Sequence, residues 1–278
     1  MKITDVPPTQ TRNIKMFGFT IRTNVRELPL AALVAKWRQA RHPRTQASLI
    51  NWINHYAGSG YRAAVPINEL PRGHYRKVKA INNTQLSQLN AELTGVPIEL
   101  PDRALVFGSA FHCRILEPEL FQMKDYCLRP SEIEIMNKMT ESFLSHPVAS
   151  HIKREENEVP IYWTDEETGL PCKALVDNLK PQGIVRDLKT TFAANETEFR
   201  QHCIKYHYDR QLVGYTNGAT KYLNKSSSKI EVLGIQKRHP YCVFCYQIDN
   251  QSSFFQSGQE KYRNLLTTWK ATNRPISR

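Results

Sequence analysis

The stretch ALVDNLKPQGIVRDLKTT, residues 174–191, restricts the fold more than any other part of the chain. Two runs rich in branched apolar residues are joined by Lys180-Pro181-Gln182-Gly183, a link too short for a parallel crossover, so the pattern predicts two antiparallel strands. Each strand carries a charge where burial is expected: Asp177 in the first, Asp187 and Lys189 in the second. Side chains alternate along a strand, so Val185, Asp187 and Lys189 share one side while Ile184 and Leu188 face the other. Asp177 can approach the same place across the turn. Carboxylates in a strand are costly unless paired, and two that converge repel each other. A divalent cation removes that penalty. Hard cations such as Mg²⁺ accept carboxylate oxygens, keep several waters and bridge to phosphates. A bound metal activates water for attack on a phosphodiester, and one adjacent lysine can hold that water or stabilise the crowded phosphate oxygens. Spacing alone leaves a plainer arrangement open, in which Asp177 ends its strand at a turn and Asp187 pairs with Lys189 on an exposed face.

Around this hairpin the chain reads as a sheet flanked by helices. NNTQLSQLNAEL is expected to be a short capped helix, and ALVFGSAFHCRILEPELF an apolar helix ending near Pro118. VPIYWT, PCKALVDNL and GIVRDLKTT form three strands, Asn195 opens a helical stretch long enough for two helices, with Glu198 placed for a capping box, KIEVLGIQKR and YCVFCYQID are two more strands, and QEKYRNLLTTWKA is a closing helix. That order implies an α/β or α+β class. Residues 81–278 are expected to form this core. Residues 1–80 form a basic, mostly helical N-terminal extension: a loose arm over 1–26, helical spacing in LPLAALVAKWRQA and TQASLINWINHYA, and a connector after Gly60.

The charge is segregated. Residues 1–80 hold 14 Lys and Arg against 3 Asp and Glu, whereas the remainder holds 24 against 23, so nearly all of the net +12 is N-terminal. Such a segment is an electrostatic footprint for a polyanion, nucleic acid first among them, or else a solvated basic face. The six cysteines are scattered, which favours reduced thiols, and Cys242-Val-Phe-Cys245 has no second pair with which to complete a zinc site. No apolar run reaches the roughly 18 residues of a membrane span, and the N-terminal residues lack the pattern of a secretory signal. No membrane partner is expected, and the cytoplasm is the expected location.

The string Asp177, nine residues, Asp187-Leu188-Lys189-Thr190-Thr191 resembles the split PD-(D/E)xK signature of metal-dependent nucleases, in the form carried by RecB-like and RecE-like (exodeoxyribonuclease VIII type) exonucleases. FGSAFHCRILEPELF is similar to the Gly-x-x-x-His helix of the RecE type, EVPIYWTDEETGLPCKALVD to the hairpin leading into the first aspartate, and Gln211 with Tyr215 to the Gln-x-x-x-Tyr motif of the RecB type. The match spans roughly residues 75–270. Val176 stands where the signature's nominal proline would be. Glu117 and Glu158 add little: the first suits a cap or salt bridge, and the second lies at a strand start.

This resemblance implies a restriction-endonuclease-like core with a central mixed β-sheet. It implies Asp177, Asp187 and Lys189 as catalytic residues, and His112, Asp177, Asp187 and the Leu188 carbonyl as ligands of Mg²⁺ or Mn²⁺. Gln211 and Tyr215 would position Lys189 or contact the DNA backbone. The implied activity is 5′→3′ exonucleolytic cleavage of double-stranded DNA in phage-type recombination or repair. A ring-shaped homo-oligomer, and a single-strand annealing protein or recombinase as partner, come with it. The alternatives are a restriction or defence endonuclease of the same superfamily and a non-catalytic DNA-binding protein on a nuclease scaffold.

Overall fold

The structure is a computed structural model that describes residues 11–16, 19–24, 75, 78–97, 101–227 and 229–276. The chain divides into two compact units, one comprising Met1–Ile81, Pro160–Lys173 and Pro275–Arg278, the other Asn82–Val159 and Ala174–Arg274. The helices expected between residues 27 and 57 lie outside the described residues. The loose arm expected over residues 1–26 is corrected in part: strands β1 (Thr11–Met16) and β2 (Phe19–Asn24) pair antiparallel, with Ile14 opposite Ile21 and Met16 opposite Phe19. Alternating Ile and Thr, with Phe17-Gly18 between the strands, is a hairpin signal. Also in the first unit, the Lys173 ammonium donates to the backbone carbonyls of Val78 at 2.6 Å and Tyr75 at 3.2 Å, which satisfies a lysine that is 3% exposed.

The five-stranded sheet has the order β3 (Asn157–Thr164), β4 (Pro171–Leu179), β5 (Ile184–Thr191), β6 (Lys229–Gln236), β7 (Val243–Ile248). β4 and β5 are antiparallel, β5 and β6 parallel over eight opposed pairs, and β6 and β7 antiparallel over six, so the sheet is mixed as expected. A parallel neighbour demands a crossover, and helices α4 (Glu196–Lys205) and α5 (Tyr208–Leu223) supply it. Asn195 caps α4 by accepting from the Glu198 N–H at 2.9 Å. His207, between the two helices, takes a left-handed φ of 54°, the bend that splits the predicted helical stretch in two.

On one face of the sheet lie helices α2 (Asp102–Leu116) and α3 (Pro130–Ser145). Phe107, Ala110 and Phe111 of α2 and Met136, Met139 and Phe143 of α3 form a core with Leu188, Leu233 and Ile235 of the sheet. Helix α3 is an addition to the order expected from sequence, where residues 119–156 carry no assigned element. α1 (Asn83–Thr94), with its Asn82/Gln85 capping box, and α6 (Ser253–Ala271) complete this unit. Buried Arg210 of α5 donates to Asn83 at 3.1 Å and Ser87 at 2.6 Å, and Asp209 pairs with Lys261 of α6 at 2.6 Å. These ties fix the turn of α5 that carries Gln211. No helix among the described residues is long and apolar enough to cross a membrane.

Candidate active site

The site forms where the β4–β5 ladder stops. Asn178 opposes Arg186 and Leu179 opposes Val185; the turn is closed by a Lys180 N–H to Ile184 carbonyl bond at 3.0 Å, with Gly183 at a φ of 88° that favours glycine. The next opposed residues in that register are Asp177 and Asp187, and there backbone pairing ends. Asp177 takes over with its side chain, Oδ2 accepting from the Leu188 N–H at 2.7 Å. The same oxygen lies 3.6 Å from His112 Nδ1, and the His112 ring is hydrogen-bonded to the backbone of Leu188. The Asp177 carboxylate thus spans the Leu188 N–H and the His112 ring.

Glu158 joins them. One ligand atom each from His112, Glu158 and Asp177 lies within 4.8 Å of the others. Glu158 belongs to β3 but has a φ of 50°, a left-handed value that a non-glycine residue in a strand adopts at a cost of about 1–3 kcal/mol. Its neighbour Asn157 shows what holds it. Asn157 donates to the Leu116 carbonyl at the end of α2 at 3.0 Å and accepts from Asn178 of β4 at 2.9 Å. Asn178 accepts in turn from Arg186 at 3.2 Å, and Arg186 pairs with Glu231 at 2.6 Å. All four of these side chains are buried. Asn157, Asn178 and Arg186 each adjoin an acidic residue of the site, so this polar chain fixes the backbones that carry Glu158, Asp177 and Asp187.

Asp187 is fully buried. Lys189 Nζ donates to its Oδ1 at 2.8 Å and lies 2.8 Å from Oδ2, which accepts no hydrogen bond. Gln211 donates to Oδ1 at 3.2 Å and to the Tyr215 hydroxyl at 2.8 Å. Burial, opposed by the Lys189 ammonium and reinforced by the Asp177 charge, pushes the Asp187 pKa up to about 6. Asp177 is raised by burial too, against the pull of Lys189 and the Leu188 N–H. Burial also disfavours the Lys189 ammonium, but Asp187 and Asp177 outweigh it and hold the lysine pKa above its usual range. The Tyr208 ring covers this ammonium at 4.8 Å. Burial first and Lys189 second push the His112 pKa down to about 4, leaving a neutral imidazole with a lone pair to give. A neutral histidine with the Glu158 and Asp177 carboxylates gathered beside it suits a hard divalent cation.

Of the residues singled out from the motifs, His112 and Asp177 meet with Glu158, whereas the Asp187 carboxylate is engaged by Lys189 and Gln211, and two further details differ from expectation. Gln211 touches Asp187 rather than Lys189, and Tyr215, 7% exposed, stands behind Gln211. Glu158, given little weight in the sequence as a strand-start residue, joins the cluster, and Tyr208 was not singled out. A left-handed residue inside a strand leaves no mark in the pattern of residues, and Tyr208 reads as one more aromatic in a helix.

A mixed sheet whose hairpin sets an aspartate opposite an Asp-x-Lys strand, with a histidine supplied by α2, fits the PD-(D/E)xK nuclease superfamily. Residues 75–275 match the family described as PDDEXK-like domain of unknown function (DUF3799), and the chain belongs to that family. A solved structure of a candidate exonuclease from Eubacterium rectale is similar at 14% identity and a TM-score of 0.48, over 67% of this chain and 74% of that one. No curated protein matches the chain.

Proposed function

We propose that this nuclease is a Mg²⁺- or Mn²⁺-dependent exonuclease acting on double-stranded DNA. The observation that carries the metal dependence is the meeting of His112, Glu158 and Asp177 beside the Leu188 peptide, with Asp187 opposite Asp177 when the register is extended by one residue. In this reading His112, Asp177, Asp187 and the Leu188 carbonyl hold the cation, and Glu158 completes the set. The metal supplies a water of lowered pKa and neutralises charge on the phosphate. Lys189, kept protonated by its two carboxylates, donates hydrogen bonds to the attacking water or to the phosphate oxygens. Gln211, braced by Tyr215, keeps Asp187 oriented while Lys189 turns to substrate. Tyr208 limits where that ammonium can swing.

Polarity from 5′ to 3′, delivery of the remaining strand to an annealing protein or recombinase, and a ring-shaped homo-oligomer follow from the resemblance to RecE-type enzymes and belong to the same proposal. End-labelled linear duplex and covalently closed circles, each incubated with Mg²⁺, Mn²⁺ or EDTA, test it. The expected result is metal-dependent digestion of the linear DNA from its 5′ ends with the circle intact. Digestion of the circle would assign an endonuclease instead, and equal digestion in EDTA would remove the metal from the mechanism.

A further inference from the structure

The parallel strands β5 and β6 end side by side, with the Lys237 N–H donating to the Thr191 carbonyl at 2.7 Å. Just beyond them is a cluster that the cleavage chemistry does not use. Phe192 is 59% exposed, a large apolar ring at the surface. The Lys237 ammonium lies over it at 4.3 Å, and on the ring of buried Phe107 of α2 at 5.7 Å. Among the described residues no carboxylate pairs with Lys237 and no hydrogen bond takes up its ammonium, although burial disfavours its charge. A half-buried cation without a counter-ion is an arrangement that persists where an anion binds. Beneath it the backbone is braced. Gln236 donates to the Ala193 carbonyl at 2.8 Å and accepts from the Cys242 N–H at 3.2 Å. Arg238, the next residue, is exposed.

The position of the cluster limits what it can meet. Phe192 follows Lys189 by three residues at the end of β5 and Phe107 precedes His112 by five on α2, backbone spacings of about 10 Å and about 7.5 Å. Those spacings correspond to about two to three stacked base steps along one strand. An exposed aromatic face beside an unpaired cation is the composition of single-strand binding platforms, in which a base stacks on the ring and the adjoining phosphate takes the charge. We infer that Phe192 and Lys237 form a nucleotide subsite: Phe192 stacks on an unpaired base of the strand in the active site and Lys237 holds a phosphate next to it. The occupant is a single-stranded stretch of the substrate, and the inference rests on the nuclease reading given above.

The test uses the full chain with a fluorescein-labelled oligothymidylate. Binding is followed by anisotropy in EDTA, where no cleavage occurs, and cleavage of a linear duplex carrying the same oligothymidylate as a single-stranded tail is followed in Mn²⁺. Phe192→Ala is expected to weaken binding about tenfold and raise KM about as much with kcat within twofold. Phe192→Trp is expected to restore both, because the stacking face returns. Lys237→Gln is expected to weaken binding and flatten its salt dependence by about one ion. A probe abasic along its whole length should no longer distinguish Phe192→Ala from the parent chain. Parent-like binding and KM in both Phe192→Ala and Lys237→Gln would overturn the subsite while leaving the nuclease reading intact. A parent chain that neither binds nor cuts any nucleic acid would overturn that reading, and the subsite with it.

Discussion

Asn178→Leu removes the centre of the polar chain behind the acidic residues while nearly keeping side-chain volume. Asn178 is 1% exposed; it donates to Asn157 Oδ1 at 2.9 Å and accepts from Arg186 at 3.2 Å. The substitution leaves one buried amide oxygen and one buried guanidinium N–H without that partner. An orphaned buried group costs about 1–3 kcal/mol, and Arg186 retains Glu231 at 2.6 Å, so the expected loss of stability is about 2–4 kcal/mol. Urea unfolding with the slope m held in common reads this as a lower midpoint. The second consequence concerns the site. Asn157 then keeps its bond to the Leu116 carbonyl but loses its side-chain tie to Asn178 of β4, so the spacing of Glu158 and Asp177 is held less firmly. Residues supporting metal ligands typically change affinity by about 10–100-fold when replaced. Calorimetric titration with Mn²⁺ is expected to show a fall in that range at a temperature where the variant is still folded. A midpoint within about 0.5 kcal/mol of the parent, or lost stability with unaltered Mn²⁺ affinity, would refute the reasoning.

Lys189→Ala is expected to lower the cleavage rate about 10²–10⁴-fold while Mn²⁺ binds at least as tightly, since the ammonium that competes for Asp187 is gone; rate assays and calorimetry together separate these effects. Glu158→Gly relieves a left-handed residue and removes a ligand, so the chain is expected to gain about 1 kcal/mol in thermal unfolding and to lose Mn²⁺ affinity. Gly234→Ala places a Cβ where the Phe199 ring lies, opposite Lys189 in register; it is expected to cost about 1–3 kcal/mol in urea unfolding.

The β4–β5 hairpin was legible because period-two alternation and a four-residue turn together dictate which side chains meet. The α4 cap was legible because Asn195 and Glu198 stand at the spacing a capping box needs. His112, Gln211 and Tyr215 were not derivable from their own surroundings: a histidine on an apolar helix and a Gln/Tyr pair one turn apart occur in ordinary cores, and only the order of motifs brought them forward. Helix α3 escaped because Pro130 and Glu132 mark its start amid charged residues, while its buried stripe of Met136, Met139 and Phe143 is short. Glu158 escaped because its part in the site depends on a backbone turn enforced by Asn157 and Asn178, partners from distant parts of the chain. Tertiary hydrogen bonds of that kind have no local signature.

The short β4–β5 ladder has a consequence for mechanics. Eight opposed pairs stitch β5 to β6, but only two stitch it to β4, so β5 is riveted on one flank and barely tacked on the other. Beyond those two pairs, the Asp177 carboxylate stands in for missing backbone acceptors. An ion gripped from both banks of that seam would act as a clasp as well as a reagent, and loading it should slow amide exchange at Leu188 before any DNA arrives.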